Sequence, residues 1–263
     1  MEWTEVNGTA LRYELSGAGE NTLVLVHEMG GSLESWDEVV PVVSRTRRVL
    51  RYDTRGAGQS EKIRGAVTFD TMADDLAALL DALGIAGRVS LAGVAVGAGI
   101  ALNLAARFAG RVAAVVAMAP ATGITPDRLA ASLARSEEME THGPRAQVEA
   151  TFAAAYPPAV QHDPDMYRRF RARWLGNDPH SYAAINRMLA YSDVTEKLPS
   201  IAVPTLALAG IHDAVRPPAM VEPMARMMPN AEFRAIDTAH YMAVQTPKLV
   251  ADAIDSFLSP RGL

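Results

Sequence analysis

Cysteine is absent from the 263 residues of this chain. Its absence excludes a disulfide framework, thiolate catalysis and thiolate-bound metal ions. No stretch approaches the roughly 18 to 20 uninterrupted apolar residues that a membrane-spanning helix needs, and the N-terminal residues lack a basic segment followed by an apolar run. The lack of cysteine leaves the redox compartment undetermined, but the lack of such segments predicts a protein that is neither secreted nor membrane-spanning, with the cytoplasm as its expected location.

An excess of positive charge is also absent. The formal net charge is −5, and the short run of arginines within residues 168–173 is typical of a solvated helix face. Nucleic acid is therefore not expected as a partner. A small-molecule substrate is expected, no motif implies a metal or an organic cofactor, and the sequence leaves the oligomeric state open, a homo-oligomer included.

Hydrophobic patterning predicts an α/β fold. Residues 1–16 alternate around Asn7-Gly8, which is typical of an antiparallel hairpin at a sheet edge. Continuous apolar runs predict buried strands, and repeats at three- and four-residue spacing predict helices between them. The predicted strands are 23–26, 49–52, 89–92, 112–118 and 205–209, and the predicted helices run from Met72 to Leu83 and from Ile100 to Phe108. Strands alternating with helices favour a mostly parallel, doubly wound sheet.

The alternation stops at residues 121–200, which contain helical patterns but no convincing strand. A segment of this length is too long for a plain loop in a compact domain. We therefore predict an inserted helical cap at 121–200 on a core formed by residues 1–120 and 201–263.

A glycine-flanked turn joins a predicted strand to a predicted helix at residues 89–99, V-S-L-A-G-V-A-V-G-A-G. The nucleophile elbow G-x-S-x-G holds a catalytic serine at the apex of such a turn. Its glycines are needed because the turn is too tight for side chains two residues before and after the apex. Here the apex is Ala95.

Four further segments resemble motifs of the α/β-hydrolase fold, in that family's order. Residues 27–32, H-E-M-G-G-S, resemble its H-G-x-G-G-S loop, and residues 52–60 match its structural Y-D-x-R-G-x-G-x-S turn. Residues 210–213 resemble the loop of the catalytic acid, and Ala239-His240 followed by residues 245–247, Q-T-P, resembles the loop of the catalytic histidine. The chain is similar to lidded members of the family such as enol-lactonases, carbon-carbon hydrolases and aminoacrylate hydrolases.

This resemblance implies a site residue by residue. Ala95 occupies the nucleophile position, Asp213 that of the acid and His240 that of the histidine. The backbone amides of Met29 and Val96 would form the oxyanion hole. The order nucleophile, acid, histidine is that of the family.

Neighbouring polar residues offer alternatives. Asp237 is the second candidate for the acid, and His212 is expected to support the site indirectly. Glu28 replaces a glycine of the family motif and would put an ionisable group at the mouth of the site. It would act as a substrate contact or an acid/base, or be an exposed loop carboxylate.

Ala95 is the larger departure from the family pattern, because a methyl group cannot attack a carbonyl carbon. One explanation is an engineered change of serine to alanine, of the kind used to trap a substrate. The other is a native alanine. Some family members resemble this chain in lacking the serine, including the aminoacrylate hydrolase of pyrimidine breakdown and certain cofactor-free dioxygenases. The sequence leaves both explanations open.

Aromatic and polar residues of the cap and of the loop after the predicted strand 23–26 are candidates for substrate binding, because amphipathic rings suit a partly apolar small molecule. The candidates are His27, Glu28, Trp36, Tyr156, Trp174, Tyr182 and Tyr191, with Met29 on the cavity floor. Arg135 or Arg187 of the cap would suit a substrate carboxylate, but the sequence places neither in the pocket.

The function expected from the resemblance is cofactor-independent hydrolysis of a small carbonyl compound, such as an ester, an enol lactone or a carbon-carbon bond next to a ketone. It would use a serine-type triad at position 95 or, with alanine native, water activated by His240 and Asp213. One alternative is a cofactor-free oxygenase or lyase with His240 as base. Another is a non-catalytic, ligand-binding member of the fold.

Overall fold

An eight-stranded sheet forms the centre of the molecule in the computed structural model, which describes residues 1–263. Its strands lie in the order β1-β2-β4-β3-β5-β6-β7-β8. In chain order they are β1 (Glu2–Val6), β2 (Thr9–Ser16), β3 (Thr22–Val26), β4 (Arg48–Tyr52), β5 (Val89–Val94), β6 (Val112–Met118), β7 (Thr205–Gly210) and β8 (Ala231–Ile236). β2 pairs antiparallel with β1 and β4, and every other pair is parallel.

Ten α-helices accompany the sheet. They are α1 (Val40–Val43), α2 (Phe69–Ala82), α3 (Val96–Arg107), α4 (Pro126–His142), α5 (Val148–Ala155), α6 (Pro164–Leu175), α7 (Pro179–Tyr191), α8 (Pro218–Arg226), α9 (Met242–Gln245) and α10 (Pro247–Leu258). The mostly parallel sheet between helices confirms the predicted fold class. None of these helices combines the length and the apolar character that crossing a membrane requires.

The N-terminal hairpin has the predicted turn. Asn7 and Gly8 lie at φ 48° and 71°, and Val6 pairs with Thr9 across them. Two consecutive positive φ values give a turn whose twist matches that of the strands, and asparagine and glycine adopt them at low cost. β1 pairs only with β2 and lies at the edge of the sheet, as predicted.

The five predicted internal strands correspond to β3 to β7, and β8 is a strand that the prediction did not include. Every residue of β3, β5 and β7 is buried, since helices cover both faces of the sheet. β8 lies at the other edge and contains Glu232 and Arg234. Its residues are exposed or half-buried, so it has no continuous apolar run that would have revealed it.

Helices α4 to α7 lie between β6 and β7 and form the helical insertion that the sequence predicted. Asn186 of α7 joins two of them, because its Nδ2 donates to the Ser132 carbonyl oxygen at 2.7 Å and to Ser136 Oγ at 2.9 Å on α4. These bonds satisfy a buried amide between two helices. The division at residues 121 and 200 stays a prediction.

A buried carboxylate holds the turn after β4. Asp53 accepts from the amides of Leu33 at 2.7 Å and Gln59 at 2.8 Å, and from Arg12 Nη1 at 3.2 Å. An ionised carboxylate can accept all three bonds. Asp53 thereby ties the loop that follows β3 to the loop that follows β4.

We expect Asp53→Asn to lower the free energy of unfolding by about 2–4 kcal/mol, because the amide NH2 would face a backbone donor and Arg12 would lose a buried partner. Urea denaturation of both proteins measures the change. Asp252→Asn is the matched control, since Asp252 is exposed and accepts only from Lys248 at 3.3 Å. Its effect should stay within about 0.5 kcal/mol. Equal midpoints for the Asp53 variant and the unchanged chain would contradict the role of Asp53.

Candidate active site

Ala95 occupies the apex of a strained turn between β5 and α3. Its backbone lies at φ 52° and ψ −113°, a region that residues with a Cβ atom rarely adopt. A Cβ atom on Gly93 would lie 2.4 Å from the Gly97 carbonyl oxygen, and one on Gly97 would lie 2.3 Å from the Val26 carbonyl oxygen. Only glycine fits at these two positions, which explains the glycine flanks seen in the sequence.

Neighbouring strands hold this turn in place. The Ala95 amide donates to the Met118 carbonyl oxygen at 2.9 Å, and the Ala121 amide donates to the Ala95 carbonyl oxygen at 3.0 Å. One bond reaches the last residue of β6 and the other the loop that follows it, so the apex is fixed at the carboxyl edge of the sheet. This edge is where ligands bind in open α/β sheets.

Two backbone amides near the apex have no acceptor in the protein. Val96 is the first residue of α3, so its amide precedes the first bond within the helix. The amide of Met29, in the loop after β3, also donates to no protein atom. Both residues line the same cavity as Ala95. Their function as an oxyanion hole stays a prediction.

Asp213 and His240 form a buried pair at the ends of β7 and β8. His240 Nδ1 lies 2.8 Å from Asp213 Oδ2, and because an ionised carboxylate only accepts, Nδ1 is the donor. The other carboxylate oxygen accepts from the amides of Val215 at 2.7 Å and Arg216 at 2.8 Å. This arrangement leaves Nε2 of His240 as the basic nitrogen.

The pKa of Asp213 lies below its ordinary value. Burial by itself would raise this pKa, but the hydrogen bond and charge of His240, together with the amides of Arg216 and Val215, outweigh burial. Asp213 therefore stays ionised near neutral pH and can orient the imidazole. Asp237, the second candidate for the acid, accepts from His212 Nε2 at 2.8 Å in an exposed pair and does not contact His240.

The cap contacts the histidine loop directly. The His240 amide donates to the Ala155 carbonyl oxygen at the end of α5 at 3.3 Å, and Gln245 Nε2 donates to the same oxygen at 2.7 Å. The rings of Phe170 and Tyr241 pack edge to face with centroids 4.8 Å apart. The position of His240 thus depends on the cap as well as on the sheet.

A cavity of about 450 Å³ lies between cap and core and includes both Ala95 and His240. It is mostly apolar with a few polar groups, as expected of a small-molecule site. The polar lining groups include Arg135, Glu138, Gln147, Thr151, Tyr182, Asn186, Arg216 and Tyr241. Burial raises the pKa of the Tyr182 and Tyr241 hydroxyls, so both stay protonated and can donate hydrogen bonds.

The two polar candidates of the loop after β3 lie away from this cavity. His27 Nδ1 donates to the Glu28 carbonyl oxygen at 2.7 Å, and its Nε2 accepts from the Thr54 amide at 3.0 Å. Glu28 is only 1% exposed, and its Oε1 accepts from Ser35 Oγ at 2.7 Å beneath Gly31. The expectation of an ionisable group at the mouth of the site is therefore corrected, because the Glu28 side chain folds under its own loop.

The aromatic candidates divide in the same way. Trp36 is fully buried in the core around α10, whereas Tyr156 and Trp174 are buried in the aromatic cluster of the cap. Tyr191 is 72% exposed and borders a separate groove of about 730 Å³. None of these four lines the cavity above Ala95, and we no longer assign them a substrate contact. Tyr182 and Met29 do line it.

The sequence did not single out several of the polar residues that line the cavity. Arg135 lines the cavity, while Arg187 is bound to Glu140 by two bonds of 2.6 Å, a choice that the sequence left open. Arg216 and Tyr241 were not considered. Their positions, three residues after the acid and next to the histidine, were the available signal.

Comparison with known proteins agrees with this geometry. The sequence pattern that defines the α/β-hydrolase fold matches residues 21–247. A 3-oxoadipate enol-lactonase of Acinetobacter baylyi is 29% identical over 259 residues, covering 97% of this chain and 95% of the relative. RutD of Caulobacter vibrioides, a proposed carbamate hydrolase, is 29% identical over 263 residues, covering 94% and 95%.

A solved structure of a thermophilic esterase from Thermogutta terrifontis, with malate bound, superposes with a TM-score of 0.93 at 28% identity and covers 99% of both chains. The match extends through the helical insertion as well as the sheet. With the family pattern covering most of its length, this chain belongs to the α/β-hydrolase fold family.

Proposed function

We propose that this protein is a cofactor-independent hydrolase of a small carbonyl compound, in which His240 activates a water molecule directly. The observation that carries the proposal is the ionised Asp213 bonded to His240 Nδ1 in a cavity whose apex residue, Ala95, has no nucleophilic atom. The relatives named as an enol-lactonase and an esterase support an ester or a lactone as the substrate.

The reaction starts with His240 Nε2 accepting a proton from water as the water oxygen attacks the substrate carbonyl carbon. The developing oxyanion accepts hydrogen bonds from the amides of Met29 and Val96. The tetrahedral intermediate then collapses, the bond from carbon to the leaving oxygen breaks, and His240 returns its proton to that oxygen. Water is consumed, and a carboxylic acid and an alcohol are released.

Asp213 orients the imidazole and stabilises its charged form during this sequence. Because residue 95 has only a methyl group, no covalent acyl-enzyme forms at the elbow. In serine proteases that have lost the triad, the rate stays about 10³- to 10⁴-fold above that of the uncatalysed reaction in water. Positioned amides and a base can therefore still support turnover.

We expect His240→Ala to lower turnover of an activated ester such as 4-nitrophenyl acetate by about 10²- to 10⁴-fold, because the general base is lost. Asp213→Asn should also cause a large loss, since the amide would favour the wrong imidazole tautomer. Initial rates at neutral pH measure both effects.

The exposed His212-Asp237 pair is the matched control, because it has the same 2.8 Å contact outside the cavity. His212→Ala and Asp237→Asn should leave the rate unchanged, which separates cavity catalysis from reaction at surface imidazoles. Equal losses from the two pairs, or none from His240→Ala, would contradict the proposal.

We expect Ala95→Ser to introduce covalent chemistry, because the turn already has the elbow geometry and His240 borders the same cavity. The variant should show a burst of nitrophenol and should gain mass after treatment with phenylmethylsulfonyl fluoride. The unchanged chain should show neither, and Ala95→Ser combined with His240→Ala should lose both. A burst or an adduct in the unchanged chain would mean that another residue acts as nucleophile.

A further inference from the structure

Arg216 brings a positive charge to the cavity without an acidic partner. Its Nη2 donates to the Gly123 carbonyl oxygen at 2.7 Å, and this is the only bond that its side chain makes. None of the ion pairs in the structure includes its guanidinium group, and the nearby Asp213 is paired with His240 instead. Burial lowers the pKa of Arg216 and the like charge of Arg128 lowers it further, while the charge of Asp213 acts in the opposite direction; arginine stays protonated in proteins.

The two carboxylates at or beside the cavity have other hydrogen-bond partners. Asp213 uses Oδ2 for His240 and Oδ1 for the amides of Val215 and Arg216 itself. Glu138, which lines the cavity from α4, accepts from Gln147 Nε2 at 3.0 Å. Neither carboxylate therefore forms an ion pair with Arg216, and Asp213 acts on it only through its charge at a distance.

The charge balance of the cavity favours an anion. Arg135 also lines it, but it is exposed, as is Glu138, so solvent screens both of these charges; Arg216 is the cavity cation that burial removes from water. A charge removed from water without a partner is costly, and a guanidinium group matches a carboxylate in geometry and charge. An anionic ligand would offset this cost.

Resting on the function proposed above, we propose that Arg216 binds a carboxylate group of the substrate while the scissile carbonyl lies over Ala95. Arg216 is suited to this role because its amide is bonded to the catalytic acid, so its backbone has a fixed position relative to His240. The substrate class is then a small ester or lactone that carries a free carboxylate at a distance from the carbonyl. Arg216 sets specificity and takes no part in proton transfer.

A matched pair of ligands tests this assignment without turnover. 4-Oxopentanoate carries a ketone and a carboxylate, and 4-oxopentanamide has nearly the same shape without the charge. Calorimetry at neutral pH should give a Kd for the carboxylate about 10- to 100-fold below that for the amide, as expected of a hydrogen bond between charged groups. In Arg216→Gln this ratio should fall close to one, and in Arg216→Lys part of it should remain.

Arg187→Gln is the matched control. Arg187 lies on the cap but is paired with Glu140 and does not line the cavity, so the ratio should stay as in the unchanged chain. A ratio near one in the unchanged chain, or a ratio unaffected by Arg216→Gln, would overturn the proposal. A preference for the carboxylate ligand that disappears in Arg135→Gln but remains in Arg216→Gln would also overturn it, because Arg135 would then bind the anion.

Rates with monoethyl succinate and its neutral amide, ethyl succinamate, extend the test to turnover. The anionic ester should have the higher kcat/KM, and Arg216→Gln should remove that preference chiefly through KM. Carboxylate preference in binding without turnover of either ester would contradict the hydrolase proposal and leave the anion site standing. Turnover of both esters at equal efficiency, with equal binding of the two ligands, would contradict the anion site and leave the hydrolase proposal standing.

Discussion

The turn at Ala95 is held in a conformation that costs about 1–3 kcal/mol for a residue with a Cβ atom, and the arrangement of the site depends on it. Bonds from the end of β6 fix its amide and carbonyl groups. The close approach of Gly97 to the Val26 carbonyl oxygen brings α3 against β3. The free amide of Val96 consequently lies at the same cavity as that of Met29. A residue without reactive atoms thus occupies a backbone geometry that the surrounding sheet still maintains.

The acid and the histidine belong to the core, but the cap completes their environment. Asp213 is fixed by two amides of its own loop, whereas the His240 amide donates to the carbonyl oxygen of Ala155 in the cap. The Phe170-Tyr241 contact covers the same boundary. Because the cavity lies at this boundary, both substrate access and the position of the imidazole depend on how the cap packs.

Much of the fold could be predicted from local patterns. The hairpin at Asn7-Gly8 and the fully buried strands have signatures that depend on backbone preference and on burial of both faces. β8 escaped prediction because an edge strand that is partly exposed does not need an apolar run. The sequence left open whether Asp213 or Asp237 is the partner of His240, because both residues follow strands that end at the same edge of the sheet.

The sequence by itself determined the alternating α/β architecture, the presence of a helical insertion and the glycine-flanked turn with alanine at its apex, because each is encoded by residues close together in the chain. Only the tertiary structure decided which side chains reach the cavity. Glu28 turns under its loop, Tyr191 faces solvent, and Arg216 lines the cavity without an acidic partner. Such outcomes depend on where elements distant in sequence pack against one another, and the composition of any single segment does not specify them.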